Sequence, residues 1–141
     1  MRLSDFELDV MQRFWREGAC SAPEVHQAIA HARDVTYSTV KTVIDRLERK
    51  GALKRSRQEG RTILYEAVVS PDAVQQTMLE RFVAHVFAGD RRPLLNHLLK
   101  DEQLTVEEYR YLERLLARHR SRHTSGVAEV AEVAEVESGD D

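Results

Sequence analysis

Between residues 36 and 51 the apolar positions are Val40, Val43, Ile44 and Leu47, the spacing of one face of a helix. Ser38, Thr39, Lys41, Thr42, Asp45 and Arg46 fall on the opposite face. That face is short, polar and partly cationic. A helix that buries one side in a small core and offers such a face outward suits the major groove of DNA. Gly51 ends the helical pattern, and a basic strand, Leu53-Lys-Arg-Ser-Arg57, follows. Gln58-Glu59-Gly60-Arg61 is a turn, and Thr62 to Val68 alternates as a returning strand. Both faces of that strand are fairly apolar, so the pattern leaves open which one meets the core.

Upstream, Ser4-Asp5-Phe6-Glu7 is a capping box, with Leu3 and Leu8 placed to form a hydrophobic staple. The helix it starts carries Leu8, Met11 and Trp15 beside Val10 and Phe14, and Gly18 stops it. Ser21-Ala22-Pro23-Glu24 is a second box, opening a helix to about Ala32 with Val25, Ala28 and Ile29 inward. After a short connection, Thr36 caps the third helix. Two short helices, a third with a polar face and a basic hairpin make a winged helix-turn-helix.

Downstream, Ser70-Pro71-Asp72 opens a helix lined by Val74, Met78, Phe82 and Val86, with Leu79, Val83 and Phe87 near them. Gly89 ends it. Asp90 caps a shorter piece holding Leu94, Leu95, Leu98 and Leu99. Thr105 and Glu108 form a third capping box, and the last helix carries Leu112, Leu115, Leu116 and His119. About fifty residues cannot hide such wide apolar stripes alone, so a second copy of the chain is expected to cover them. The predicted fold is mostly α with a small β-hairpin wing. Residues 1–70 form the winged helix, 71–123 a helical dimerisation region, and 124–141 an acidic tail. The tail's Val-Ala-Glu repeat lacks aromatics and reads as disordered or weakly helical.

Charge changes the picture once it is divided. The chain's net charge of −3 opposes DNA binding at first sight. Residues 124–141, however, carry 6 acidic groups and no Lys or Arg. Residues 33–61 carry 9 basic against 4 acidic groups, on the third helix and wing. Ser38, Thr39, Lys41, Thr42 and Arg46 are the candidate contacts of the helix, and Lys54, Arg55, Arg57 and Arg61 those of the wing. Asp45 and Glu48 are expected to pair with Arg49 or Arg46.

Other chemistry is sparse. There is no Gly-x-Ser-x-Gly, phosphate-cradling glycine loop or His-Glu-x-x-His, so no enzyme is indicated. No cofactor is called for. The single cysteine, Cys20, excludes an internal disulfide, and with no signal-like or membrane-spanning segment a cytoplasmic setting is expected. His119 and His123 stand four apart, a spacing able to hold a metal, so a metal-responsive repressor is one alternative. A winged helix serving as a protein-interaction module is another.

The marks Leu3-Ser4-Asp5-Phe6-Glu7-Leu8-Asp9-Val10-Met11, Trp15, Ser21-Ala22-Pro23-Glu24-Val25, Tyr37-Ser-Thr-Val40, Arg46-Leu-Glu-Arg-Lys-Gly51 and Tyr65 occur in an order that resembles the penicillinase-repressor family of bacterial regulators (the BlaI/MecI type). The resemblance runs from about Leu3 to Arg120. It implies a dimeric repressor on dyad-symmetric operators. It also implies induction, in some members, by cleavage in the dimerisation region, set off by a membrane-bound metalloprotease sensor. Those relatives are cut between asparagine and phenylalanine. Here the corresponding bond is Asn96–His97, so the asparagine is kept and the phenylalanine is not. A copper-responsive branch carries a cysteine-rich C-terminal motif, which this chain lacks.

Overall fold

In a computed structural model, residues 1–100 and 104–138 are described, with side chains to residue 122. The chain forms α1 (Asp5–Glu17), β1 (Cys20–Ser21), α2 (Ala22–Ile29), α3 (Tyr37–Lys50), β2 (Leu53–Glu59), β3 (Thr62–Ala67), α4 (Pro71–Val86), α5 (Arg92–Leu99) and α6 (Val106–Ser138). This is a winged helix-turn-helix followed by further helices.

Local chemistry sets the helix starts. Ser4 Oγ accepts the Glu7 amide at 3.2 Å, and Glu7 Oε1 accepts the Ser4 amide at 3.0 Å. Ser21 and Glu24 repeat that box, Thr36 Oγ1 accepts the Thr39 amide, and Ser70 Oγ accepts the Ala73 amide. Gly51 closes α3 at φ 82°, a left-handed conformation that penalises a side chain. Gly60 holds the wing turn at φ 63°.

The first compact unit spans Met1–Gly89. Val40, Val43, Ile44 and Leu47 of α3 are buried with Val10, Met11 and Phe14 of α1 and Val25 of α2. Tyr65 and Leu53 bring the sheet into the same core. Val74 of α4 joins it and Met78 packs against it. The segment division expected after residue 70 therefore lies inside this unit. Trp15 is half-buried and its Nε1 donates to the Val69 carbonyl at 2.9 Å, tying α1 to the approach of α4.

The sheet has the order β1-β3-β2 and is antiparallel throughout. Sequence reading gives only the hairpin. β1 is missed because two residues are too few for any alternation; Cys20 and Ser21 pair with Tyr65 and Leu64. The pairing of β2 with β3 slips between Arg55 and Arg57, a bulge in the basic strand. On β3 the neighbours Leu64 and Tyr65 are both buried, so neither face is simply inward.

A buried ion pair also escapes the sequence pattern. Glu7 is 3% exposed, although its place in a capping box suggests a surface residue. Lys50, at the end of α3, donates to Glu7 Oε1 at 2.9 Å and to the Arg2 carbonyl at 2.9 Å. Glu7 Oε2 lies 2.7 Å from the same ammonium as an ion pair. Burial pushes the Glu7 carboxyl up, but Lys50 and the Ser4 amide and hydroxyl outweigh it and hold it below the usual range.

The second compact unit begins at Asp90. Asp90 Oδ1 accepts the Arg92 amide at 3.0 Å, close to the expected capping role, although the residue just before α5 is Arg91. Thr105 and Glu108 form the anticipated box. Leu95, Leu98, Leu99, Leu112, Leu115 and Leu116 line an apolar cleft of about 340 Å³ between α5 and α6. The backbone of α6 continues through residue 138, so the stretch expected to be disordered or weakly helical is helical to that point. Its Ala and Glu are strong helix formers, and no Gly or Pro interrupts 127–136. No helix among the described residues is long and apolar enough to cross a membrane.

Candidate nucleic-acid interface

The polar face of α3 is built from its first turn. Ser38, Thr39, Thr42 and Arg46 are exposed. Thr36 Oγ1 lies 3.1 Å from Ser38 Oγ and 2.9 Å from Thr39 Oγ1, so three hydroxyls share one cluster at the helix start. Thr42 Oγ1 donates to the Ser38 carbonyl at 2.9 Å. Its only hydrogen is used there. What it offers outward is a methyl group and acceptor lone pairs.

Lys41 differs from its neighbours. It is half-buried, and its ammonium donates to Asp45 and to the Tyr65 hydroxyl. The Asp45 hydrogen bond raises its pKa above the ordinary lysine value, partial burial opposes this, and the Tyr65 hydroxyl adds to the rise. The side chain is therefore cationic at any neutral pH and fixed in place.

The wing candidates are exposed on and beside β2. Lys54 pairs with Glu66 at 3.1 Å, Arg55 with Glu48 at 3.1 Å, and Arg57 with Glu59 at 3.1 Å. Asp45 and Glu48 thus meet Lys41 and Arg55, not Arg49 or Arg46. Lys41 and Arg49 are both four residues from Asp45, but Lys41 is also held by the Tyr65 hydroxyl, and Glu48 meets a strand partner across from the helix. Exposed pairs like these contribute only about 0–1 kcal/mol, so a phosphate can replace the carboxylate at little cost. Among the described residues Arg46 and Arg61 hold no ion pair.

The turn before α3 is anchored by residues that sequence reading passes over. Arg33 pairs with Asp9 of α1 at 2.7 Å and stacks 4.8 Å from the centre of the Phe6 ring. His26 of α2 donates from Nε2 to the Val35 carbonyl at 2.9 Å, since a carbonyl only accepts. Its ring meets Tyr37 edge-on at 6.1 Å. These contacts join residues far apart in the chain, and no local spacing announces them. Tyr37 had a visible signal, an aromatic ring in a first turn otherwise made of hydroxyls.

The remaining candidates do not join this face. Asn96 and His97 lie on α5, in the second unit, and Asn96 is exposed. His119 is exposed on α6, while the side chain of His123 lies outside the described residues. Among the described residues no group of three or more His, Cys, Asp or Glu is arranged to hold a metal. Cys20 is buried; burial first, then nearby Glu24, pushes its thiol up.

The chain is 26% identical over 121 residues to the penicillinase repressor of Bacillus licheniformis, covering 86% of this chain and 94% of that one. It is 32% identical over 133 residues to the transcriptional regulator BlaI of Mycobacterium tuberculosis, covering 90% of this chain and 94% of that one. The solution structure of monomeric Bacillus licheniformis BlaI in complex with the blaP half-operator is 29% identical, with a TM-score of 0.45, over 51% of this chain and 87% of that one. The sequence profile of the penicillinase repressor family matches residues 3–118, so the chain belongs to that family.

Proposed function

We propose that this chain is a homodimeric repressor that holds a pseudo-palindromic operator in double-stranded DNA. Membership of a family of DNA-binding transcriptional repressors gives the coarse function. One observation carries the finer reading: α3 is pinned by four buried residues on one face and exposes Ser38, Thr39, Thr42 and Arg46 on the other. In this reading α3 addresses base edges, and Lys54, Arg55, Arg57 and Arg61 meet phosphates. A second copy covers the exposed leucines of α5 and α6, and two-fold pairing requires a two-fold operator. The setting is the cytoplasm, where the DNA is.

Thr42 and Arg61 separate the two kinds of contact. Thr42→Ala removes the outward methyl and acceptor, and is expected to cost about 1–3 kcal/mol at one matched base pair. Arg61→Ala should weaken all sequences alike and lower the salt slope by up to about one unit. Titrating operator and scrambled duplexes at several salt concentrations distinguishes them. An equal loss on both DNAs for Thr42→Ala means that α3 touches only backbone. A salt-independent affinity favours the protein-interaction alternative.

Relief of repression is proposed to follow cleavage at Asn96–His97 by a protease acting with a membrane-bound metalloprotease sensor. Asn96 and His97 are exposed on α5, and a cut between them parts the winged helix from the leucines of α6 proposed to pair the copies. Repressor isolated from induced cells should then appear as two fragments, and a chain that stays full length under induction rejects the route.

A further inference from the structure

We propose that a recess between α3 and the wing is a subsite for one deoxyribose-phosphate of the DNA backbone, with Lys41 and Arg61 sharing that single phosphate. The proposal rests on the DNA-binding reading above and assigns Lys41 to backbone, not to base edges. The recess has a volume of about 220 Å³ and is lined by Pro23, Tyr37, Lys41, Arg61, Ile63 and Tyr65 among others. Three separate elements, the start of α2, the start of α3 and the wing, contribute to it.

Its chemistry is of two kinds. Pro23, Tyr37 and Ile63 give apolar walls, and Lys41 and Arg61 give two cations. A nucleotide of the DNA backbone has the same division, an apolar sugar face beside an anionic phosphate. A base edge does not, since it needs matched donors and acceptors in a plane.

Lys41 is set for this task. An ammonium has three donors, and Asp45 and the Tyr65 hydroxyl take two, leaving one for an incoming oxygen. The same two bonds, and a Tyr65 ring centre 5.6 Å away, place the ammonium at the recess. Arg61 holds no ion pair among the described residues and approaches from the wing turn.

Tyr37 is the second sign. It is 43% exposed, and from residue 2 to residue 67 no other large apolar side chain is exposed. A core-building sequence that hides every other such side chain here leaves one ring uncovered beside two cations. The ring is also kept in position, edge-on to a His26 whose other bond is to the Val35 carbonyl. A sugar lying against it would complete its burial.

The test scans single methylphosphonate substitutions, which remove one phosphate charge at a time, through a duplex selected by the full-length protein from a random-sequence pool. One position per half-site is expected to weaken wild type roughly tenfold, the size of one charge-assisted hydrogen bond. In Lys41→Met the same substitution should cost only about threefold, because Arg61 still holds the phosphate. Arg61→Ala should be blunted at that same position, while Thr42→Ala keeps the full loss. Tyr37→Ala should weaken binding to selected and random duplexes equally, and Tyr37→Phe should restore it, because the ring and not the hydroxyl does the packing. Lys41 and Arg61 coupling to different phosphates, or Lys41 coupling to none, overturns the shared subsite. Failure of the pool to yield any bound duplex rejects the DNA-binding reading itself.

Discussion

Leu98→Asp is expected to turn the proposed dimer into monomers and to lower operator affinity by at least about 100-fold, through loss of two linked half-sites. Leu98 is 51% exposed in the single chain, so a charge there need not disturb the subunit's own fold. It sits in a cleft with Leu95, Leu99, Leu112, Leu115 and Leu116, and Leu95, Leu99 and Leu116 are likewise exposed. Paired copies would bury this surface, at about 25 cal/mol for each Å² removed from water, and one carboxylate at its centre would have to be dehydrated. Sedimentation and circular dichroism on the same sample read the two effects apart. A dimer that persists at micromolar concentration with normal helicity places the pairing surface elsewhere.

Lys50→Met is expected to destabilise the winged helix by about 2 kcal/mol, lowering Tm by roughly 10 °C. The substitution keeps the aliphatic stem and removes the charge, so a carboxylate that is 3% exposed loses its counter-ion. A fully buried pair loses more, but Lys50 reaches solvent over a third of its side chain. The wild-type pH dependence has a definite sign. Glu7 has a folded pKa below its unfolded value of 4.5, so it contributes stability that is present above that value. The contribution disappears as pH falls through the lowered folded pKa. In Lys50→Met this acid-side loss should shrink, because the main group holding the carboxyl down is gone. Denaturant midpoints between pH 7 and pH 3 measure it, and identical profiles for the two proteins would show that the pair contributes nothing.

The parts of the fold legible in the sequence are those encoded within one turn. The boxes at Ser4 and Ser21, the cap at Thr36 and the stop at Gly51 each need only neighbours three or four residues away. The α3 stripe is equally local, and all four of its apolar residues are buried. What stayed hidden depends on distance. Glu7 and Lys50 are separated by most of the helix-turn-helix, and Arg33 reaches back to α1. The wing defeated an alternation argument for a different reason. β3 is the central strand, and the partner β2 carries a bulge, so period two does not sort its side chains into in and out. For the interface, residue type pointed to the hydroxyl and cation set, whereas the recess around Tyr37 exists only once α2, α3 and the wing are brought together.

The strand order β1-β3-β2 leaves β2 at the margin of the sheet, with one flank of backbone groups unmatched by a neighbouring strand. Such a margin invites the same margin of another molecule to zip onto it, the first step of aggregation. Lys54, Arg55 and Arg57 stand along it, and a bulge interrupts its flatness between Arg55 and Arg57. Two copies brought margin to margin would stack like charges and meet a kink. In the proposed reading the wing cations would also act while no DNA is present, by opposing edge-to-edge pairing of free molecules. A neutral substitution there would then loosen the proposed grip on phosphate and at the same time remove a barrier to self-association.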